Sequence, residues 1–363
     1  YLSFYGGQRW TKLQLNLPVT PITDLKVHGN DLVASTAGRS FWILDDLSVL
    51  QQWTDATATT EVRLFKPRPA YRTQAFAGGF GGGNPRGGRN APNGAVIDFW
   101  LARVPEGDVN VDVLDKVGAV IRRFSTRKPD PAAPVSLEAP ASTLTVKAGL
   151  NRVVWNVRHD QAVPVPGLYV FGTIQGRQVL PGDYQLRLIA GGRTLTEPLT
   201  VKMDPRVTTP LAELQAQDDL VVRVDERLNE IHRTVIRLRD ARGQIEDLMK
   251  RTKGTPGGDA IEKSGKALVD KLNAIEDTLV QKRVVDGQTV INFPMRLNQF
   301  FIYLRNAIDD SDLGSTDGQR DRLGDLSEQW QQQQRAVTAA LGEDLAAFNR
   351  LVRERNVPAV VVK

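Results

Sequence analysis

Three histidines, two runs of neighbouring aspartates and no cysteine bound the chemistry open to this 363-residue chain. Without cysteine there is no disulfide, no thiolate metal site and no thiol nucleophile. The histidines are His28, His159 and His232. His232 follows Ile231 on a stretch of helical period whose other positions are charged. "EIH" (Glu230–His232) lacks the Glu-x-x-His spacing of a metal-binding helical bundle, so the sequence places His232 on a solvated rim. His28 falls on a hairpin edge. His159 precedes Asp160 in "VRHDQAVPVPG", an adjacency that offers an acid–base pair.

The aspartates lie in "LDD" (Leu44–Asp46) and "IDDSD" (Ile308–Asp312). Two carboxylates at a suitable separation can hydrolyse a glycosidic bond. Neighbours on a strand point to opposite faces, so Asp45 and Asp46 read instead as caps for the next turn or short helix. Asp309 to Asp312 read as caps or solvated residues in a helix–helix loop. No G-x-S-x-G elbow is present. The residues thus assign no catalytic side chain, no metal site and no cofactor.

The elements that carry these residues follow a β-then-α, multidomain order. Residues 1–46 read as about four short strands, the size of one β-propeller blade. "WTKLQLNL" alternates with Leu13, Leu15 and Leu17 on one face. "ITDLKVHGNDLVAST" predicts a hairpin turning at Gly29-Asn30, and "GRSFWILDD" a further strand with Phe41 and Ile43 on one side. Residues 47–93 connect: "DLSVLQQW" suggests a short helix, and the glycines crowded from Gly78 to Gly94 predict a loop or linker. A phosphate-cradling loop would need a helix after it, and "AVIDFWLARV" reads as a strand.

Residues 94–206 hold about seven short strands with frequent turn signals, as in an immunoglobulin or fibronectin type III-like β-sandwich. "DVNVDVLD" points Val109, Val111 and Val113 inward, and "VVWNV" does the same with Val153, Trp155 and Val157. Residues 207–357 change to a three- and four-residue apolar period and predict an antiparallel four-helix bundle. Its last helix carries Leu323, Leu326, Trp330, Val337, Leu341, Leu345, Phe348 and Val352. The Gln-rich flank of Trp330 suggests a turn that projects from the bundle. Residues 358–363 read as an extended tail that docks on a neighbour.

Charge is unevenly shared. Residues 1–206 hold 24 Lys+Arg against 17 Asp+Glu, and residues 207–363 hold 23 against 25. The basic excess is spread over strands and loops rather than gathered in a stripe, so nucleic acid is not an expected partner. No apolar run reaches the ~18 residues of a membrane span. The first residues have no basic n-region of a signal peptide.

"SFYGGQRW" (Ser3–Trp10) resembles the Asp-box turn S-x-D-x-G-x-x-W, with Ser3, Gly7 and Trp10 matching and Tyr5 in place of Asp. In that turn the Ser side chain bonds the local backbone, Gly takes positive φ and Trp packs against the hairpin. "LPVTPITDLKVHGNDLVASTAGRSFWILDDL" then resembles the last blade of a bacterial family of sortilin-like, Asp-box (bacterial neuraminidase) repeat β-propellers. That family carries a glycosyl hydrolase or exo-sialidase-like label. "PNGAVIDFWL", "GLNRVVWNVRHD", "VLPGDYQLRL" and "LTVKMDPRV" are similar to the region after the propeller. The resemblance implies the C-terminal part of a larger exported bacterial protein, periplasmic or at the cell surface, with Tyr1 inside the final blade. Its partners would be the upstream blades. A sialidase site needs a Tyr nucleophile and an arginine cluster drawn from several blades. This blade offers Arg39 at most, and no catalytic residue carries over.

Three functions remain in view. The first is a non-catalytic scaffold that binds or stabilises the propeller or a protein partner. The second is an accessory carbohydrate-binding portion of a true glycoside hydrolase, with Trp53, Tyr71 and Tyr169 as platforms and Arg39 as a further contact. The third is self-association through the helical bundle. Trp42, Phe99 and Trp100 are expected in the core.

Overall fold

The computed structural model describes residues 1–73, 91–128, 143–168, 170–283 and 292–356. It consists of β sheets followed by a helical C-terminal region. The Gly-rich stretch and the extended tail named above fall mostly or wholly outside the described residues, as does Tyr169.

The chain opens with a hairpin turn closed by Leu2 and Thr11. Ser3 Oγ accepts from Gly7 N at 2.9 Å and from Tyr5 N at 3.3 Å, and Gly7 lies at φ 88°. Trp10 packs beside Gly7 and leaves most of its ring in solvent. The alternating "WTKLQLNL" does not become a strand. Leu15 takes φ 50° and Leu17 N bonds back to Gln14 O, so the segment turns. Three strands follow, one fewer than expected: β1 (Ile22–His28), β2 (Asp31–Thr36) and β3 (Phe41–Leu44), antiparallel in that order. The Gly29-Asn30 turn joins β1 and β2, with His28 opposite Asp31.

Short helices α1 (Ser48–Gln52) and α2 (Asp55–Thr59) lead to two sheets. One is three-stranded, with β4 (Val62–Leu64), β6 (Ala95–Leu101) and β9 (Gly149–Trp155) in the order β4-β6-β9. The other runs β5-β11-β10-β7-β8, from β5 (Ala70–Arg72), β11 (Arg193–Met203), β10 (Gly182–Ala190), β7 (Asn110–Leu114) and β8 (Val120–Ser125). β10 and β11 form a hairpin over Gly191 and Gly192, both at positive φ. Alternation puts Val111, Val113, Leu186 and Leu188 from one sheet and Ile97, Phe99, Leu101 and Trp155 from the other into a single core. Phe99 is fully buried, whereas Trp42 and Trp100 are half-buried.

The C-terminal region starts with α3 (Leu211–Thr252), about 63 Å long at 1.5 Å per residue. α4 (Gly258–Leu279), α5 (Leu297–Asp309), α6 (Asp317–Ala339) and α7 (Leu345–Glu354) pack around it. Gly265 lets α4 approach α3: a Cβ there would stand 2.6 Å from Met249 Sδ. Thr316 caps α6 by accepting from Gln319 N, in a capping box. The long final helix expected from the pattern is interrupted by a π-helical turn at Ala340–Asp344. Trp330 does not project. It is 2 % exposed, and its Nε1 donates to Glu230 Oε2 at 2.8 Å, which satisfies the indole within the bundle.

Candidate functional site

The three-stranded N-terminal sheet is the largest departure from ordinary burial. Register puts Leu25, Val27, Leu32, Ala34, Trp42 and Leu44 on one face, and Val33, Phe41 and Ile43 on the other. Leu25 and Val27 are each 60 % exposed, Phe41 73 % and Ile43 59 %. Every residue of β1 is exposed. Scattered apolar side chains are normal on a surface, whereas here exposed apolar side chains gather on both faces of one small sheet.

The sheet is tied to the two-sheet body at a few points. Tyr5 Oη donates to the Asp55 carboxylate at 2.5 Å. Arg68 pairs with Asp31 at 3.1 Å and reaches Asp46 at 3.8 Å. Asp46, at φ 61°, accepts from Ser48 N and Asn30 Nδ2 in the turn before α1, whose N-cap position is Leu47 and carries no side-chain cap.

The residues proposed for ligand contact stand on separate elements. Arg39 is exposed in the β2–β3 turn; its N–H donates to Thr36 Oγ1 and its carbonyl accepts from Trp42 Nε1. Trp53 stacks on Phe65 (centroids 6.3 Å apart) and meets the edge of Trp100 at 5.3 Å, so much of its ring is taken up by neighbours. Tyr71 is half-exposed on β5.

The histidines and clustered aspartates hydrogen-bond and pair within the fold. Asp160 pairs with Arg122 at 3.2 Å, and His159 bonds Arg177 O through its backbone. Burial, with help from Arg177, lowers the His159 pKa to about 4, which makes it neutral at pH 7. His232 is not on a rim: it is 1 % exposed, and its Nδ1 lies 2.5 Å from Val163 O. The ring nitrogen is therefore a donor, and burial lowers the His232 pKa to about 4. Asp309 and Asp312 are not solvated loop residues either. Asp312 forms a buried pair with Arg72 at 2.8 Å. Asp309 accepts from Arg158 and from Gln178 N. Arg177–Asp218, at 2.9 Å, extends this seam between sheets and helices, and Arg305–Asp225, also at 2.9 Å, continues it between α5 and α3.

A groove of about 890 Å³ runs between α3 and the π-helical turn, floored by Ile245, Leu341 and Phe348 and rimmed by Arg237, Asp240 and Lys250. Among the described residues no group of three or more His, Asp or Glu is placed to hold a metal ion. Among the same residues no helix is long and apolar enough to cross a membrane.

No family model matches the chain, and no curated protein matches it. Among solved structures, pT26-6p is similar at 15% identity and TM-score 0.15, over 74% of this chain and 48% of that one. The chain thus spans about half the length of that structure, and a likeness so low carries no argument about fold or function.

Proposed function

We propose that this chain is a non-catalytic scaffolding region that holds a second β-rich body through its N-terminal sheet. The observation that carries the reading is apolar exposure on both faces of a sheet only three strands wide. Such a sheet is marginal alone and gains stability when its faces are stacked. In this reading residues 1–46 are one β-propeller blade, and the upstream blades of an exported Asp-box protein cover its faces. The two-sheet body is an immunoglobulin-like sandwich, and the helices form an antiparallel four-helix bundle that braces it. The Ser3–Gly7 turn geometry supports the blade assignment. The structural roles of the carboxylates and of His159 and His232 support a region without catalysis.

The test is the reading frame upstream of Tyr1, followed by expression of the longer product. Further Ser-x-Asp-x-Gly-x-x-Trp turns are expected there. Phe41→Glu with Ile43→Glu should then sharply lower the folded yield of the long product, while the 363-residue chain keeps its melting temperature. An upstream frame without such turns would sink the reading.

A further inference from the structure

The outer edge of β1 is distinct from the two faces just discussed, and the sequence along it is self-complementary. β1 and β2 are joined by a two-residue turn, and the closing pair of such a hairpin, His28 and Asp31, exchanges backbone hydrogen bonds. Bonding alternates along an antiparallel pair, so Asp24, Lys26 and His28 bond toward β2. Leu25 and Val27 therefore turn their N–H and C=O groups outward. Among the described residues no strand lies on that side. The outward N–H of Leu25 is taken by the Asp24 carboxylate at 2.8 Å.

We infer that two copies of this chain pair edge to edge through β1, antiparallel and centred on Leu25. In that register Leu25 faces Leu25 of the second copy, and each Asp24 faces the other copy's Lys26. Both Asp24–Lys26 pairs fall at non-hydrogen-bonded positions, where cross-strand side chains come closest. Lys on an edge strand ordinarily deters pairing. Here Asp24 stands two residues before Lys26, and the two-fold axis turns the deterrent into two opposite-charge contacts. The register is specific. A shift to the next permitted one places Lys26 opposite Lys26.

Pairing gives the Leu25 N–H a strand partner and frees the Asp24 carboxylate for the incoming Lys26. Leu25 and Val27 of both copies then lie on one face of a continuous six-stranded sheet. The bulge between Ile22 and Asp24 limits the regular ladder to the segment after it. The ladder is short, so the expected dimer is weak and salt-sensitive. This inference goes beyond the scaffolding reading, because it uses an edge and leaves the faces free.

Sedimentation equilibrium of the full chain across a wide concentration range tests it. The expected mass rises from the 40.1 kDa monomer toward twice that value. Lys26→Asp converts both contacts to like-charge pairs and should weaken the dimer about ten- to hundredfold, as two cross-strand pairs swing from attraction to repulsion. Asp24→Lys alone should do the same. The double variant Asp24→Lys, Lys26→Asp should dimerise again. Both sites are exposed, and far-UV circular dichroism of all three variants should be unchanged. A monomer at every concentration overturns the inference. So does a dimer indifferent to Lys26→Asp, or a double variant that stays monomeric. The Phe41→Glu, Ile43→Glu variant should still dimerise, so failure of the face reading and failure of the edge reading are distinguishable.

Discussion

The two-sheet body is attached to a neighbour on each side, and the two attachments differ in kind. Toward the helices it presents Arg72, Arg158 and Arg177, which meet Asp312, Asp309 and Asp218. The Arg72–Asp312 pair is about 95% withdrawn from water, with side chains 4% and 5% exposed. Gln178 N also donates to Asp309 Oδ1 across the seam; on the sheet side Arg72 Nη1 donates to Val179 O at 2.9 Å, and on the helix side Gln217 donates to the carbonyls of Ile308 and Ser311. Toward the N-terminal sheet the links include Tyr5–Asp55, the part-exposed Arg68–Asp31 pair, the longer Arg68–Asp46 contact at 3.8 Å, the Leu47 N to Asn30 O bond and the Asn30 side-chain bonds to Ser48 and Gln51. A buried, hydrogen-bonded seam fixes one geometry, because misplacing any member strands a charge. Part-exposed hydrogen bonds and a longer ion pair fix less. The helical side is thus joined to the sheets by buried charge pairs, and the N-terminal side is joined by fewer and more exposed contacts. The charge split of the sequence fits this. The basic excess before residue 206 supplies the arginines, and the helices supply the acids.

The largest expected effect lies in the seam. Among the described residues, Asp309→Ala leaves Arg158 with no carboxylate and Arg305 with Asp225 alone. Removing one partner of a buried pair costs about 3–5 kcal/mol. Urea unfolding should show that loss. Asp312→Ala should fall in the same range through Arg72. The joint replacement Arg72→Met, Asp312→Leu should cost less than either single truncation, since it leaves no unpaired charge. Equal losses for single and joint variants would mean that the seam acts through packing rather than charge, and the contrast between the two attachments would narrow.

How much of this was legible in the sequence depends on the range of the interaction. The Gly29-Asn30 hairpin, the Gly191-Gly192 hairpin and the inward Val111 and Val113 rest on neighbours a few residues apart, and local pattern shows them. The helix positions of Leu228, Ile231, Val235 and Leu238 are read the same way. The seam joins Arg72 to a carboxylate 240 residues later, and no local pattern distinguishes Asp309 or Asp312 from a solvated loop acid. His232 misled for a related reason. Its helix neighbours are charged, but the Val163 carbonyl that covers it comes from a loop 69 residues earlier. Trp330 hid among glutamines because its partner Glu230 sits on another helix. Leu15 misled in the opposite direction: alternation is present, yet Gln14 to Leu17 closes a turn.

The next effect is the response to pH. His159 and His232 ordinarily titrate near 6.5, and burial holds both near 4 in the folded chain. A lowered folded pKa means that the unfolded chain takes up protons first as pH falls. Stability from this source is complete above pH ~6.5 and is lost between there and pH ~4, by about 3 kcal/mol per histidine. Burial raises the pKa of Asp218 and Asp225, which opposes the loss at the acid end of that window. The clean measurement is therefore a difference: His232→Gln should flatten the unfolding free energy against pH relative to the parent chain. An unchanged slope would show that the ring does not stay neutral in the folded state.

The smallest effect bears most directly on the N-terminal attachment. Arg68 is one-third exposed, and pairs of that kind contribute about 0–1 kcal/mol. Arg68→Ala should leave the global urea midpoint within error. It should still speed amide exchange in β1, β2 and β3, because the sheet opens locally without unfolding the body. Even in the parent chain those amides should exchange well before the β10–β11 hairpin, whose side chains Leu186 and Leu188 are fully buried. A covering partner would raise protection of β1–β3 and leave β10–β11 unchanged. Equal protection in the isolated chain would mean that the sheet is already held by its own contacts, and the exposed Leu25, Val27, Phe41 and Ile43 would then need no partner.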